Sequence, residues 1–332
     1  MAATAVSDII VPDIFVPYMV EKTTELSELI SAGIAQRDPK FDALASGGGK
    51  TVNMPFWDDL TGDSEVLSDS GALTVNAITA DQDAAAINNR GKAWGANQLA
   101  KWISGDDPAA RIAELAAGFW ARDNQRILFK ILSGLFDGTN GVLRTTHRLN
   151  IYSDVAAGAI TDAMRLTGST FIDGLQKLGD AKQEIVAVAM HSDVEAFLLQ
   201  RDLIDFIPDS EGKSQIRMFQ GRRVIVDDNC PKTAGSNSNA YHTYLFGKGA
   251  FAWGEGMLDP KEAVETDRQV LEGNDVLVTR RRFILHPRGV EWTGTASGAS
   301  PTNTEFATGT NWTKAYLDKN IRILAIRHNV TS

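Results

Sequence analysis

The run from Asp107 to Leu135, D-P-A-A-R-I-A-E-L-A-A-G-F-W-A-R-D-N-Q-R-I-L-F-K-I-L-S-G-L, constrains the fold more than any other stretch. Asp107 is a good N-cap, and Pro108 suits the first helical position, where its missing N–H has no intrahelical partner to lose. Ile112, Leu115, Ala116, Phe119, Ile127, Ile131 and Leu135 step by three and four, which lays one apolar stripe along a helix. The spacing predicts a helix from Pro108 to Leu135, about 42 Å long at 1.5 Å per residue. Such a rod is a structural spine. Its polar face, with Arg122, Asp123, Gln125 and Arg126, reads as a solvated or intersubunit surface.

Upstream, Leu26, Leu29, Ile30 and Ile34 recur at helical spacing within Glu21 to Ile34, after an arm that holds Pro12, Pro17 and only isolated apolar residues. The stretch S-G-G-G-K-T ends like a nucleotide-binding loop. A Walker loop requires glycine where Leu44 stands, and it runs from strand to helix, whereas here a helical pattern precedes the glycines and an extended run with Pro55 follows. The glycines read as a hinge.

Thr51 to Gly95 reads as a long two-stranded excursion, acidic and turn-rich in its middle. A single hairpin is marginal in water because its strands have little to bury against. It is therefore either a floppy insertion or a hairpin that finds its partner on a neighbouring chain.

From Asp162 a second block begins. F-I-D-G-L-Q-K-L-G-D is a short helix, E-I-V-A-V-A-M (Glu184 to Met190) a buried strand, and Ser192 with Glu195 a capping box opening the next helix. Q-I-R-M-F and R-V-I-V-D-D form a hairpin, and Y-H-T-Y-L-F-G-K-G-A-F-A-W gives two strands broken by Gly247 and Gly249. In the last third, two extended segments flank the turn E-G-N-D, the second running from Asp275 to Leu285. Thr293 to Thr310 is a polar loop, and I-R-I-L-A-I-R closes the chain as a strand.

Composition narrows the function. Net charge is −9 over 332 residues without long blocks of either sign, which argues against a protein that wraps nucleic acid. The lone Cys230 has no internal disulfide partner, the N-terminus lacks secretory features, and no apolar run reaches membrane-spanning length. His147, His191, His242, His286 and His328 are scattered without zinc-site spacing. H-S-D at His191 to Asp193 holds triad residue types whose side chains diverge. Asp58, Asp59, Asp63 and Glu65 could bind a divalent cation, although a solvated acidic face is the simpler reading. Alternation places Arg280 and Arg282 on one strand face and Arg281 on the other, which suits ion pairs with an acidic surface of another subunit. Asn311-Trp312-Thr313 fits a glycosylation sequon, without use in an unsecreted chain.

Several phrases in this order resemble the major capsid proteins of tailed bacteriophages: S-E-L-I-S-A-G-I, V-N-M-P-F-W-D-D-L-T-G-D-S-E, A-I-T-A-D-Q-D, R-G-K-A-W-G-A-N-Q-L-A, G-D-D-P-A-A-R-I-A-E-L-A-A-G-F-W-A-R, V-A-M-H-S-D-V-E-A-F-L and Y-L-F-G-K-G-A-F. The resemblance covers nearly the whole chain. It implies an α+β, Hong Kong 97-type capsid fold: N-terminal arm and helix (1–50), extended β-hairpin loop (51–95), peripheral domain with the spine helix (96–161 and 255–332) and compact axial domain (162–254). The implied function is a structural protein, not an enzyme, with no catalytic, cofactor or metal site. It would self-assemble through pentamers and hexamers into an icosahedral head enclosing double-stranded DNA without sequence-specific binding and without a membrane. Portal, scaffolding or decoration proteins are implied partners; the location is the virion, after synthesis and assembly in the host bacterial cytoplasm.

By the same resemblance Gly47 to Gly49 lie at the base of the loop, whose core is supplied in trans. No scaffolding segment is read at the N-terminus. Lys50, Lys92 and Lys101 are available for cross-links, but nothing marks a partner asparagine or a catalytic glutamate, so none is expected. Two alternatives stand beside this reading: an encapsulin-like compartment shell, and a cytosolic metal-dependent hydrolase built on Asp58, Asp59 and Asp63.

Overall fold

The computed structural model describes residues 32–57, 60, 62–67, 73–97, 108–136, 140–208, 215–271 and 273–330. The expected arm, and the expected helix over Glu21–Ile34 apart from its last residues, lie outside them. In chain order, strand β1 (Ala35–Arg37) leads into α1 (Pro39–Ser46), the helix directly before the glycines, where a helical pattern was expected without bounds of its own. Its signals are local: Asp38 accepts from the Lys40 amide as N-cap, and Pro39 stands at the first helical position. After the glycines come β2 (Thr51–Trp57), β3 (Ala80–Asn97) and the spine α2 (Pro108–Phe136), as the apolar stripe required.

Next are β4 (Arg148–Asn150), α3 (Gly168–Leu175), β5 (Ile185–Met190), α4 (Ser192–Gln200), β6 (Ile204–Pro208), β7 (Gln215–Phe219), β8 (Arg222–Val226), β9 (Lys232–Ala234) and β10 (Asn239–Gly247). The chain finishes with β11 (Phe251–Glu255), α5 (Pro260–Ala263), β12 (Val264–Gln269), β13 (Asn274–Pro287), β14 (Val290–Trp292), α6 (Asn303–Phe306), β15 (Trp312–Lys314) and β16 (Ile323–His328).

Two large sheets organise these elements. One runs β1-β11-β13-β3-β2 with β12 beside β13; the other runs β4-β16-β10-β5-β8-β7-β6 with β9 beside β10. The second sheet is covered on both faces. Ala187, Ala189, Tyr244, Phe246, Ile323 and Ala325 join the core beneath the spine, while the alternate residues Val188, Met190, Leu245, Leu324 and Ile326 pack with Phe171, Val194 and Leu198 of α3 and α4. A strand buried on both faces reads as an unbroken apolar run, which is why I-V-A-V-A-M was legible.

The spine bridges the two sheets. Ile127, Leu128, Ile131, Leu132 and Leu135 are buried in the large core, each side chain contributing about 1.5–3 kcal/mol relative to exposure. Toward the N-terminal end, Trp120 donates from Nε1 to Thr279 Oγ1 on β13 at 3.3 Å, and Phe119 meets Trp94 of β3 edge to face at 5.3 Å. Leu115, expected on the apolar stripe, is exposed. Gly134 fits where no larger residue would, because a Cβ there would collide with the Phe306 carbonyl.

Several expectations are corrected. Gly247 and Gly249 do separate two strands, but β10 and β11 belong to different sheets. β11, at the end of the 162–254 segment, pairs with β13, and the C-terminal β16 pairs with β10. The cap of α4 is His191, whose Nδ1 accepts from the Asp193 amide at 3.1 Å. Ser192 is already helical, and Glu195 pairs instead with Arg217 at 2.7 Å. The loop Thr293–Thr310 contains α6, where Thr302 and Glu305 form a reciprocal capping box.

Candidate assembly interface

The extended hairpin grows out of the first sheet by strand continuity. Residues Ile87 to Asn97 of β3 pair with β13, from Ile87↔Ile284 to Asn97↔Asn274. The residues before them change partner, and Ala80 to Ala86 pair with β2, from Trp57↔Ala80 to Thr51↔Ala86. One strand thus belongs to both the sheet and the hairpin. Its base has a core in its own chain, contrary to the expectation of a coreless excursion: Ala85, Ile87, Ile284 and Ala45 are buried together, with Phe41, Val52 and Met54 against them.

Polar contacts fix that base. Asp83 is buried on β3 and accepts from His286 Nε2 at 2.9 Å and from the Gly289 amide at 3.3 Å. Beside it, burial and the neighbouring Asp81 and Asp83 carboxylates raise the pKa of Glu291. The glycine segment is pinned: Arg282 donates to the Gly47 carbonyl and reaches that of Gly49. Gly49 has φ +107°, a conformation other residues rarely adopt.

The arginine triplet therefore works within its own chain. Arg280 pairs with Glu265 at 2.6 Å, and Arg281 is bidentate to Glu255. The expected intersubunit ion pairs for these residues are replaced by intrachain contacts, because β11, β12 and the glycines after α1 bring carboxylates and carbonyls to both faces of β13.

Beyond residue 57 the described residues of the hairpin lose cover. Leu60, Val66, Leu67, Leu73, Val75 and Ile78 are exposed, Val66 at 94% and Val75 at 95%. A second uncovered point is the tip between β12 and β13, where Val270 and Leu271 stand in solvent. Contiguous exposed apolar residues mark surfaces that bind another molecule. The first expanse was signalled in sequence by a hairpin too long to stabilise itself.

Only two of the four acidic candidates are described. Asp58 and Asp59 lie outside the described residues. Asp63 and Glu65 are exposed, and hydrogen bonds from the Thr74 side chain and amide lower the pKa of Glu65. Among the described residues no group of three or more His, Cys, Asp or Glu side chains is placed to hold a metal ion. His147, His242, His286 and His328 are buried in different elements, and Cys230 is buried. Lys50 and Lys92 are exposed; Lys101 lies outside the described residues. No described helix is long and apolar enough to cross a membrane. A cationic cleft formed by Lys248, Arg288 and Arg322 had no sequence signal, since its members come from three separate segments.

Comparison with known proteins matches this architecture. The family model described as Major capsid protein 13-like (Gp13-like) matches residues 146–321. The chain is 40% identical over 334 residues to the major capsid protein of Bacillus phage SPP1, with 99% of each chain covered. Its fold is similar to the capsid of Ralstonia phage GP4, at TM-score 0.60 and 11% identity over 93% of this chain and 90% of that one. It is equally similar to the capsid of Cyanophage Pam1, at TM-score 0.60 and 11% identity over 94% and 92%. The α+β arrangement of a spine helix, two sheets and a projecting hairpin is a phage capsid fold, and the chain belongs to the Gp13-like family of phage major capsid proteins.

Proposed function

We propose that this capsid protein closes into an icosahedral head through pentamers and hexamers, with the extended hairpin of each subunit laid on a neighbouring copy, and that the head encloses double-stranded DNA. The observation that carries this reading is the uncovered apolar run on the hairpin, Val66 and Leu67 on one side of its tip and Val75 and Ile78 on the other, on a base that is itself packed and hydrogen-bonded. A firm base with a bare tip suits an arm that completes its core in trans. Head-to-tail contacts that close into rings are what a shell requires, and interfaces summed over all neighbours should exceed about 2,000 Å².

Within the subunit, the eight-stranded sheet with α3 and α4 is the proposed axial unit, and the spine with the sheet of β3 and β13 the peripheral one. Portal, scaffolding or decoration proteins are the proposed partners, and the host bacterial cytoplasm the place of assembly. Negative-stain electron microscopy and sedimentation of the purified chain test the reading. Closed shells, tubes or capsomer rings are expected; a uniform small oligomer that persists on co-expression with the scaffolding protein of its own phage would overturn it.

A further inference from the structure

Where Gly247 to Gly249 carry the chain from one sheet to the other, a cleft of about 350 Å³ opens between Lys248, Arg288 and Arg322, with Gln36, Tyr316 and Asn320 on its walls. Its charge is poorly matched within the chain. Arg322 approaches Glu184 at 3.3 Å, both side chains being about half exposed. Lys248 and Arg288 have no carboxylate partner among the described residues, and Arg288 rests over the Phe41 ring at 5.8 Å. Asp83, the loop carboxylate felt on the Tyr316 side of the cleft, is already committed to His286 and the Gly289 amide.

The hairpin has the opposite excess. From Thr51 to Asn89 it carries Asp58, Asp59, Asp63, Glu65, Asp69, Asp81 and Asp83 and no lysine or arginine. In its described tip, Asp63-Ser64-Glu65-Val66-Leu67 sets two exposed carboxylates beside two exposed apolar side chains. Neither carboxylate makes an ion pair with the cleft of its own chain. We propose that the Lys248–Arg288–Arg322 cleft is the receptor for the Asp63–Leu67 segment of a second copy, carboxylates meeting the three cations and Val66 and Leu67 covering the half-buried Tyr316 ring. This rests on the hairpin docking in trans and names where it docks. Charge complementarity of this kind fixes register and excludes wrong partners, which a shell needs at every repeat of the contact.

The test uses the full chain. Glu65→Cys and Arg322→Cys chains, co-assembled and oxidised, should give interchain disulfide dimers from shells and none from unassembled subunits; buried Cys230 does not compete. The Lys248→Glu/Arg322→Glu variant should keep the wild-type circular dichroism and melting midpoint while shell yield falls roughly tenfold or more, since like charges at an interface cost several kcal/mol. Adding Asp63→Lys and Glu65→Lys to that chain should restore yield. Unchanged yield, failure of the charge swap to rescue, or shells without interchain disulfides would overturn the proposal. So would variant shells formed at full yield with reduced DNA content, which would assign the cleft to phosphate. Wild-type chains that form no shell even on co-expression with the scaffolding protein of their phage would overturn the trans-docking reading beneath it; wild-type shells with an indifferent cleft would overturn the cleft alone.

Discussion

Arg281 and Glu255 meet in the interior between β13 and β11, with Arg281 Nε and Nη2 2.8 and 2.7 Å from the two carboxylate oxygens. Their side chains are 2% and 10% exposed, and the guanidinium also lies over the rings of Trp120 and Phe283, each at 5.5 Å. The pair ties the spine to the sheet that carries the hairpin. Glu255→Ala leaves a buried cation unpaired, and we expect it to cost about 3–5 kcal/mol in urea unfolding. The double variant Arg281→Met/Glu255→Leu should recover most of that loss, because well-packed apolar groups replace a buried pair at little net cost. Equal destabilisation by both variants would mean that the pair is not the source of the effect.

Gly134 should be intolerant for a steric reason. The Phe306 carbonyl that a Cβ would strike also accepts from Trp312 Nε1 at 2.9 Å, so the spine cannot move away without breaking that bond. Gly134→Ala is expected to cost about 1–3 kcal/mol. Gly118→Ala on the same helix meets only the end of the flexible Arg122 side chain and should be neutral or stabilising by up to about 1 kcal/mol. Thermal melts of the two variants check the contrast.

Removing the uncovered part of the hairpin should separate folding from assembly. A deletion from Ser64 to Asp83 would also remove Ala80 to Asp83, which pair with β2, and would strip buried His286 of its partner. The informative deletion is Ser64 to Thr79. Its melting midpoint should stay within a few degrees of wild type, because the described side chains among those lost are exposed, while shells should be absent by electron microscopy. Intact particles would show that the tip has no assembly role.

Acid should weaken the fold through His328. Its Nδ1 faces the Asn329 carbonyl at 3.0 Å and its Nε2 faces Thr243 Oγ1 at 2.9 Å, so the neutral ring donates from Nδ1 and accepts at Nε2. Burial lowers its pKa from 6.5 to about 4. Between those values the unfolded chain binds the proton and the folded chain does not, so stability is fully present above about pH 6.5 and falls as pH drops toward 4. At about 1.4 kcal/mol per unit the loss is on the order of 3 kcal/mol. His147 is lowered in the same direction by burial. Urea midpoints across this range should fall steeply for wild type and less steeply for His328→Gln; parallel curves would exclude His328 as the source.

The sequence by itself determined the elements whose signal is local and periodic. The spine from Pro108, the buried run at Ile185–Met190 and the hairpin Gln215–Val226 were legible because repeated apolar spacing and turn residues act within a few positions of one another. It also marked the hairpin as too long for its own support. The helical pattern before the glycines was legible but the bounds Pro39–Ser46 were not, although Asp38 and Pro39 announce its start, because its apolar residues are too few to set a period.

Only the tertiary structure decided which strands share a sheet, and therefore where charges find their partners. β10 and β11 are separated by three residues yet enter different sheets, which sends Glu255 to Arg281, Asp83 to His286 and Arg282 to the glycines at the hairpin base. The cleft of Lys248, Arg288 and Arg322 arises the same way, from segments distant along the chain. Backbone propensity and side-chain period act over a turn of helix or a pair of strand residues. Partner choice depends on the closure of long loops and the packing of a shared core, and no local spacing encodes it.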